Sequence, residues 1–440
     1  MSNVFVLDTN KQALHPVHPG RARRLLSLGQ AAVFKRYPFT IILKSAASSP
    51  HVWPLRVKLD PGSKTTGLAI VNDASGEVVF AASLIHRGDA IRERLEKRRA
   101  ARRSRRQRKS RYRQSRFDNR GTKKKGWIAP SVQSRVCNVI TWVKRLVRLC
   151  PITAISQELV KFDLQQMDHP EISGVNYQQG TLSGYEVREY LLDKWGRQCA
   201  YCGAKDVPLE VEHINPRSKS GDDRVCNLTL ACEPCNTKKG TQDIRVFLAH
   251  QPELLAKLLA QAKSPLKDAA AVNITRWVLH AQLKAFGLPL ECGSGGRTKF
   301  NRITRGLEKT HWCDAACVGA STPEVLHIGQ VRPLSIAAYG HGRRQMCLMN
   351  KSGFPRTNPK QKKFKHGFRT GDLVKAVVPP HLKHAGTHVG RMSAKASGAF
   401  TIATAGGTVT DIGKKYCRML QRADGYGYTQ KGELAFPPVP

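Results

Sequence analysis

The chain has 440 residues, with 73 Lys and Arg against 32 Asp and Glu and a formal net charge of +41. Self-repulsion makes so one-sided a charge costly without a polyanionic partner, which points to nucleic acid first and to an anionic membrane second. No run of about 18 apolar residues and no signal peptide stands out, so a spanning or secreted protein is not expected.

In chain order, residues 1–50 read as a small unit. It has strand Val4–Leu7, a loop with His15-Pro16 and His18-Pro19, helix Arg21–Leu28 and strand Thr40–Leu43. Three strands follow, Leu55–Leu59, Leu68–Val71 and Val78–Leu84, the last two joined by the turn 72-NDASGE-77. Asp60 closes the first strand at a Pro-Gly turn. Residues 92–116 hold fourteen Lys or Arg, only the acids Glu93 and Glu96, and no Gly or Pro, which predicts one long basic helix. Like charges at i,i+4 destabilise such a helix when free, so it calls for a nucleic-acid partner.

A second helix, Val132–Leu149 with Ser131 as N-cap, shows apolar residues at helical spacing and stops at Pro151. Strand Ile152–Ile155 then leads to Glu158. An insertion fills about 186–245, a helical stretch lies near 268–286, and 310-THWCDAACVGA-320 follows. Past about 330 the chain is Gly- and Pro-rich with short alternating runs, Asp372–Val378 and Phe400–Thr404, as in a small β-barrel-like domain.

Twelve cysteines in a chain this long do not suggest a disulfide scaffold, and four of them fall in CxxC pairs. Cys199, Cys202, Cys232 and Cys235 supply four thiolates, a closed tetrahedral zinc site with no open position for chemistry. Its role is therefore structural. Between the pairs runs 209-LEVEHINPRSKSGDDRVCNLTLACEPCNTKKG-240. An acid-His pair at a strand end, Asn227 in the loop and Asn236 opening a helix form a constellation far more specific than Glu-His alone.

This stretch resembles the HNH endonuclease motif, a ββα-metal fold. The resemblance implies that His213 is the general base, that Glu212 and Asn236 bind a catalytic Mg²⁺, and that Asn227 orients the histidine loop. The acid is Glu where Asp is common, and the third position is Asn where His is common; both keep an oxygen donor. The three-strand, helix, strand order before it resembles an RNase H-like fold. In that fold an acid on the first strand, one at the end of the fourth and one on a late helix converge. Asp60 and Glu158 match the first two, and His311 with Asp314, one helical turn apart, the third. Three carboxylates and a histidine can hold two Mg²⁺ that clamp the attacking and leaving oxygens of a phosphodiester.

Together these segments resemble the three RuvC segments interrupted by an HNH domain, the layout of CRISPR type II effectors and of the smaller, transposon-borne IscB family. The length, the stretch HPGRARRLL after 13-ALHP-16 (where the family has Pro-Leu-Met-Pro), the arginine-rich bridge helix and 294-SGGRTKFNR-302 favour IscB. The implied fold class is α/β multidomain: an RNase H-like (RuvC) core with an inserted ββα-metal HNH domain, a long arginine-rich bridge helix, a small N-terminal domain and a C-terminal β-rich domain. The expected boundaries are 1–50 for the N-terminal PLMP-like domain, 51–90, 121–185 and 249–330 for the RuvC segments, 91–120 for the bridge helix, 186–248 for the HNH domain and 331–440 for the C-terminal domain.

The resemblance also implies a monomeric protein in a ribonucleoprotein with an omega-type guide RNA, cytoplasmic in a prokaryote and nucleoid-associated when bound to target double-stranded DNA. The protein would read backbone and A-form shape while base pairing reads sequence. Arg98, Arg99, Arg102, Arg103, Arg105, Arg106, Arg108, Lys109, Arg111 and Arg113 are the expected nucleic-acid contacts, with 360-KQKKFKHGFR-369 as a further basic loop. Two alternatives stay open: a homing- or restriction-like HNH enzyme that reads DNA without RNA, and a binding protein that keeps the fold without the chemistry.

Overall fold

The structure, a computed structural model, describes residues 3–46, 53–107, 127–159, 185–263, 267–329, 331–340, 347, 350–351, 354–358, 364–395 and 397–430. Strands β1 (Val4–Leu7), β2 (Ala13–Val17), β3 (Ala31–Lys35) and β4 (Thr40–Leu43) make a small sheet in the order β2-β1-β4-β3, with the helix Pro19–Ser27 beside it.

The centre of the molecule is a seven-stranded sheet. It contains β5 (Leu55–Pro61), β6 (Thr65–Asn72), β7 (Val78–Ile85), β8 (Ile152–Glu158), then β11 (Leu290–Gly293), β12 (Leu334–Ala338) and β18 (Tyr426–Gln430). Its order is β11-β8-β5-β6-β7-β12-β18. Strands β5, β6 and β7 are antiparallel neighbours, whereas β8 runs parallel to β5 and β11 parallel to β8. Leu55, Val57 and Leu59 alternate onto one face of β5 and are fully buried there against the helix Pro130–Leu149, whose Val136, Val139, Val143 and Leu146 answer them. Burying each such side chain contributes about 1.5–3 kcal/mol. Trp142 of that helix lies edge-on to Tyr426 and Tyr428 of β18, at 5.7 and 5.9 Å between centroids.

Several boundaries differ from expectation, each for a local reason. Strand β5 continues through Asp60, which pairs in register with Gly67, because the antiparallel ladder with β6 extends to Pro61–Thr66. The second helix begins at Pro130 with Ala129 as N-cap, so Ser131 lies inside its first turn. Proline supplies a preset φ and needs no N–H partner at that place. The chain beyond 331 is not one β-barrel-like domain. Strands β12 and β18 join the central sheet, β12 parallel to β7 and β18 antiparallel to β12. Only β13 (Leu373–Val378), β14 (Gly386–Ala394), β15 (Phe400–Thr404), β16 (Gly407–Ile412) and β17 (Cys417–Gln421) stand apart, as an open sheet in the order β16-β15-β14-β13-β17.

Between β8 and β11 lies the inserted unit. Its antiparallel hairpin β9 (Leu209–His213) and β10 (Leu228–Cys232) carries the helix Glu233–Lys239 across one face. Leu191, Leu230 and Ile244 are fully buried in its own core. The basic helix is described over Gly88–Gln107, where Arg98, Arg99, Arg102 and Arg103 are exposed and Arg105 and Arg106 continue the helical backbone. Arg108, Lys109, Arg111 and Arg113, and the loop positions 360–363, lie outside the described residues. No helix among the described residues is long and apolar enough to cross a membrane.

Candidate functional site

The inserted hairpin gathers most of the chemistry. The sulfurs of Cys199, Cys202, Cys232 and Cys235 all lie within 4.8 Å of one another. Those of Cys202 and Cys232 are 3.7 Å apart. A tetrahedron with metal–sulfur bonds of about 2.3 Å has edges of about 3.8 Å, so this donor set fits zinc. Burial raises the Cys199 thiol, but backbone N–H donors of Cys202, Cys232 and Tyr201 more than offset it and bring the group down to about 7.

Glu210 and Glu212 alternate onto the face of β9 that the helix Glu233–Lys239 covers, and Asn236 and Lys239 sit one turn apart on that helix. Asn236 Nδ2 donates to Glu210 Oε2 at 2.7 Å, so the lone pairs of its Oδ1 are not used in that bond. Glu212 is only 6% exposed. Lys239 Nζ, itself fully buried, donates to Glu212 Oε1 at 2.5 Å and to the His213 carbonyl at 2.8 Å. The Tyr201 hydroxyl donates to Glu212 Oε2 at 2.5 Å. Burial, and then the neighbouring carboxylate, hold the Tyr201 phenol well above its usual range, so it stays a donor.

His213 ends β9 half-buried, its Nε2 2.7 Å from Asp223 Oδ1. Arg217 grips the same carboxylate through Nε at 2.8 Å and Nη2 at 2.5 Å. Hydrogen bonds from Arg217 and then His213 hold Asp223 below the usual carboxylate range, so it is ionised and accepts the Nε2–H. The bare nitrogen of His213 is then Nδ1. Asn227 braces the loop between the strands: its Oδ1 accepts from Asn215 N at 2.8 Å, and its Nδ2 donates to the Asn215 and Asp222 carbonyls at 3.0 and 2.7 Å.

Glu210, Asp223 and Lys239 are among the partners that escaped the sequence reading. Each lies in the motif stretch itself, and the two-residue spacing of Glu210 and Glu212 was the available signal.

A second group of acids meets at one end of the central sheet. The register that pairs Leu59 with Gln157 puts Asp60 and Glu158 on adjacent strand ends. The helix His311–Ala316, which carries Asp314, rests on β6 at Gly67, the register partner of Asp60. A Cβ at Gly67 would lie 1.8 Å from the His311 carbonyl oxygen, so only glycine allows this approach.

No three of these side chains bring their ligand atoms within 4.8 Å of one another. Arg276 Nη2 holds Glu158 Oε1 at 2.9 Å and its Nε reaches the Pro61 carbonyl at 3.2 Å. Arg302 Nε holds Asp314 Oδ1 at 2.9 Å. Among the described residues, only the four cysteines form a group of three or more ligating side chains within 4.8 Å of one another. In this structure Glu158 and Asp314 each face an arginine, Arg276 and Arg302. Each arginine supplies the countercharge that a buried carboxylate needs. Burial raises Asp314, against the pull of Arg302, and lowers His311.

A buried network ties the chain after this helix to the sheet. Lys58 Nζ donates to the Val318 carbonyl at 2.8 Å and to the hydroxyls of Thr322 and Ser321 at 3.1 and 3.2 Å. Burial brings Lys58 down to about 8. Glu291 accepts from Ser156 Oγ at 2.6 Å and from Ser321 N and Oγ at 2.9 and 2.5 Å.

Residues 4–180 match the family model described as RRXRR protein, and residues 199–242 match that of the HNH endonuclease. The chain thus carries a region similar to RRXRR proteins and, inside its insertion, an HNH endonuclease domain. The stretch 102–106 of the RRXRR region reads Arg-Arg-Ser-Arg-Arg, and the HNH domain spans the four cysteines, Glu212, His213, Asn227 and Asn236. A search of curated proteins found no match.

Among solved structures, Streptococcus thermophilus Cas9 in complex with the GGAA PAM is similar at 12% identity and a TM-score of 0.23, over 62% of this chain and 33% of that one. The Type II-C Cas9 enzyme from Actinomyces naeslundii is similar at 19% identity and a TM-score of 0.16, over 40% of this chain and 25% of that one. The chain thus spans a third or less of these Cas9 chains, and scores this low assign no common fold.

Proposed function

We propose that this chain is an RNA-guided DNA endonuclease of the IscB type, in which the HNH domain cuts the guide-paired strand and the Asp60 end of the central sheet cuts the displaced strand. One observation carries the reading: His213, Glu212 and Asn236 share one hairpin-helix unit, and each is held by a partner that suits its role. A Mg²⁺ bound by Glu212 and Asn236 Oδ1 would supply polarisation of the scissile phosphate and stabilisation of the leaving oxygen.

The protein's own part is proton transfer and orientation. Asp223 fixes the imidazole of His213 through Nε2–H, so Nδ1 can take the proton from an attacking water. The Asp223 carboxylate also favours the imidazolium that results. Asn227 holds the loop that separates His213 from Asp223, and Glu210 turns the Asn236 amide. The zinc site holds the fold of the unit.

For the second centre, the sheet order β8-β5-β6-β7, with Asp60 and Glu158 at neighbouring ends, supports a RuvC-like reading. Arginines pair with Glu158 and Asp314 there, as Lys239 pairs with Glu212 in the HNH unit, and no chemical step is derived at this end of the sheet. The exposed arginines of Gly88–Gln107 support a nucleic-acid partner, and guide RNA is the partner proposed.

The test is strand-resolved nicking of a plasmid by the full chain with its copurified RNA and Mg²⁺. His213→Ala and Asp60→Ala should each leave a nick, on opposite strands. Purification free of RNA, with sequence-selective cutting retained, would sink the RNA-guided reading. Loss of both cuts in His213→Ala would sink the two-centre reading.

A further inference from the structure

We propose that Tyr201 is a positioning residue for the metal-binding acid, so that the zinc knuckle aims Glu212 as well as folding the domain. The inference rests on the reading of Glu212 as a cation ligand and adds a function for the knuckle. Tyr201 stands between two of the four thiols, in Cys199-Ala200-Tyr201-Cys202. Its backbone is therefore pinned on both sides once the four sulfurs are bridged. Ala200 N, the next link, donates to the Leu230 carbonyl of β10 at 2.8 Å. The ring is fixed as well, edge-on to Phe247 with centroids 5.2 Å apart. What the knuckle presents to the hairpin is one hydroxyl, and that hydroxyl ends on Glu212 Oε2.

The geometry at the acid is specific. A carboxylate turns about its last bond unless both oxygens are engaged. Here Lys239 takes Oε1 and Tyr201 takes Oε2, both from the protein side. With both oxygens engaged, the plane of the carboxylate is fixed. Lys239 supplies the countercharge that lets the acid be buried. Tyr201 supplies no charge, and its hydroxyl is not needed to fill the core, which its ring does. Its contribution is orientation, the task that supporting partners of metal ligands generally perform.

Tyr201→Phe keeps the ring and removes this one bond. In the full chain with its RNA, the Mg²⁺ concentration that half-saturates cutting at the His213-dependent centre should rise about 10- to 100-fold, the usual cost of losing such a partner. The Asp60-dependent cut on the other strand should keep its own Mg²⁺ dependence and serves as the internal reference. Direct Mn²⁺ titration of the ribonucleoprotein by electron paramagnetic resonance, in an Asp60→Ala background, should show the same weakening without any turnover. Zinc content and melting temperature should match the parent.

Wild-type Mg²⁺ and Mn²⁺ titrations in Tyr201→Phe would overturn the proposal. So would loss of zinc in that variant, which would make the hydroxyl part of the knuckle's own fold. Glu212→Gln is run alongside. If it too titrates like the parent, Glu212 is not the cation ligand and the reading beneath the proposal has failed.

Discussion

Replacing Gly67 by alanine should disable one centre and spare the other. An ideal Cβ at this position lies 1.8 Å from the His311 carbonyl oxygen and 3.0 Å from the Ala315 Cβ, and the first of these is backbone that cannot rotate away. To reach even the 3.0 Å limit of real Cβ contacts, the helix His311–Ala316 must retreat from β6 by about 1.2 Å. Overpacking of this kind costs about 1–3 kcal/mol, and in a domain of this size that lowers the melting temperature by a few degrees. The functional cost is larger, because a misplacement of about 1 Å at a reacting centre removes about 100-fold in rate. Asp314 rides on the shifted helix while Asp60 stays in the sheet. Single-turnover nicking, resolved by strand, should show the Asp60-dependent cut reduced about 100-fold and the His213-dependent cut unchanged. An Asp60-dependent rate within about threefold of the parent would refute the claim that Gly67 sets the distance between helix and sheet.

The other expectations concern the two buried supports. Hydrogen bonds from Ser156 and Ser321 and the Lys58 charge outweigh burial and hold Glu291 at about 2, below its ordinary 4.5. A depressed folded value means that the unfolded chain binds the proton more tightly. The contribution is therefore complete above about pH 4.5 and is lost as pH falls toward about 2. Glu291→Gln should flatten that part of the stability curve in urea titrations between these limits, and an unchanged slope would refute the assignment. Cys232→Ser should lower zinc content and abolish the His213-dependent cut, because binding energy at such a site is folding energy. Retention of that cut at full rate without zinc would contradict the structural role of the knuckle.

The features legible in the sequence are those written in local spacing. CxxC pairs announce four thiols at one point, and the acid-His, Asn, Asn order gives the hairpin-helix unit its outline. Strands β5 to β8 show as apolar runs of the right length. Lys58 shows how such a run misleads. It sits inside Leu55–Leu59 as if on a solvated face, yet it is fully buried, because residues more than 250 positions later supply its acceptors. Arg276 and Arg302 were invisible as partners of Glu158 and Asp314 for the same reason: nothing in helix periodicity says which acid an arginine will meet. The Gly- and Pro-rich region past 330 looked like one domain because short strands give no hint of which sheet they join.

That last point bears on how the chain could be cut and rejoined. The open sheet β13–β17 leaves the central sheet after Ala338 and re-enters at Tyr426, and these two residues face each other across the β12–β18 ladder. A short reverse turn could bridge them, giving a trimmed chain whose seven central strands keep their neighbours. The HNH unit leaves after Glu158, and the chain returns at Leu290, whose partner on the parallel strand β8 is Ile155. Parallel neighbours demand a crossover of a dozen or more residues, and the helix Lys267–Lys284 already provides one. The two excursions are thus separately removable modules on a common chassis: one needs a turn in its place, the other must leave its return helix behind.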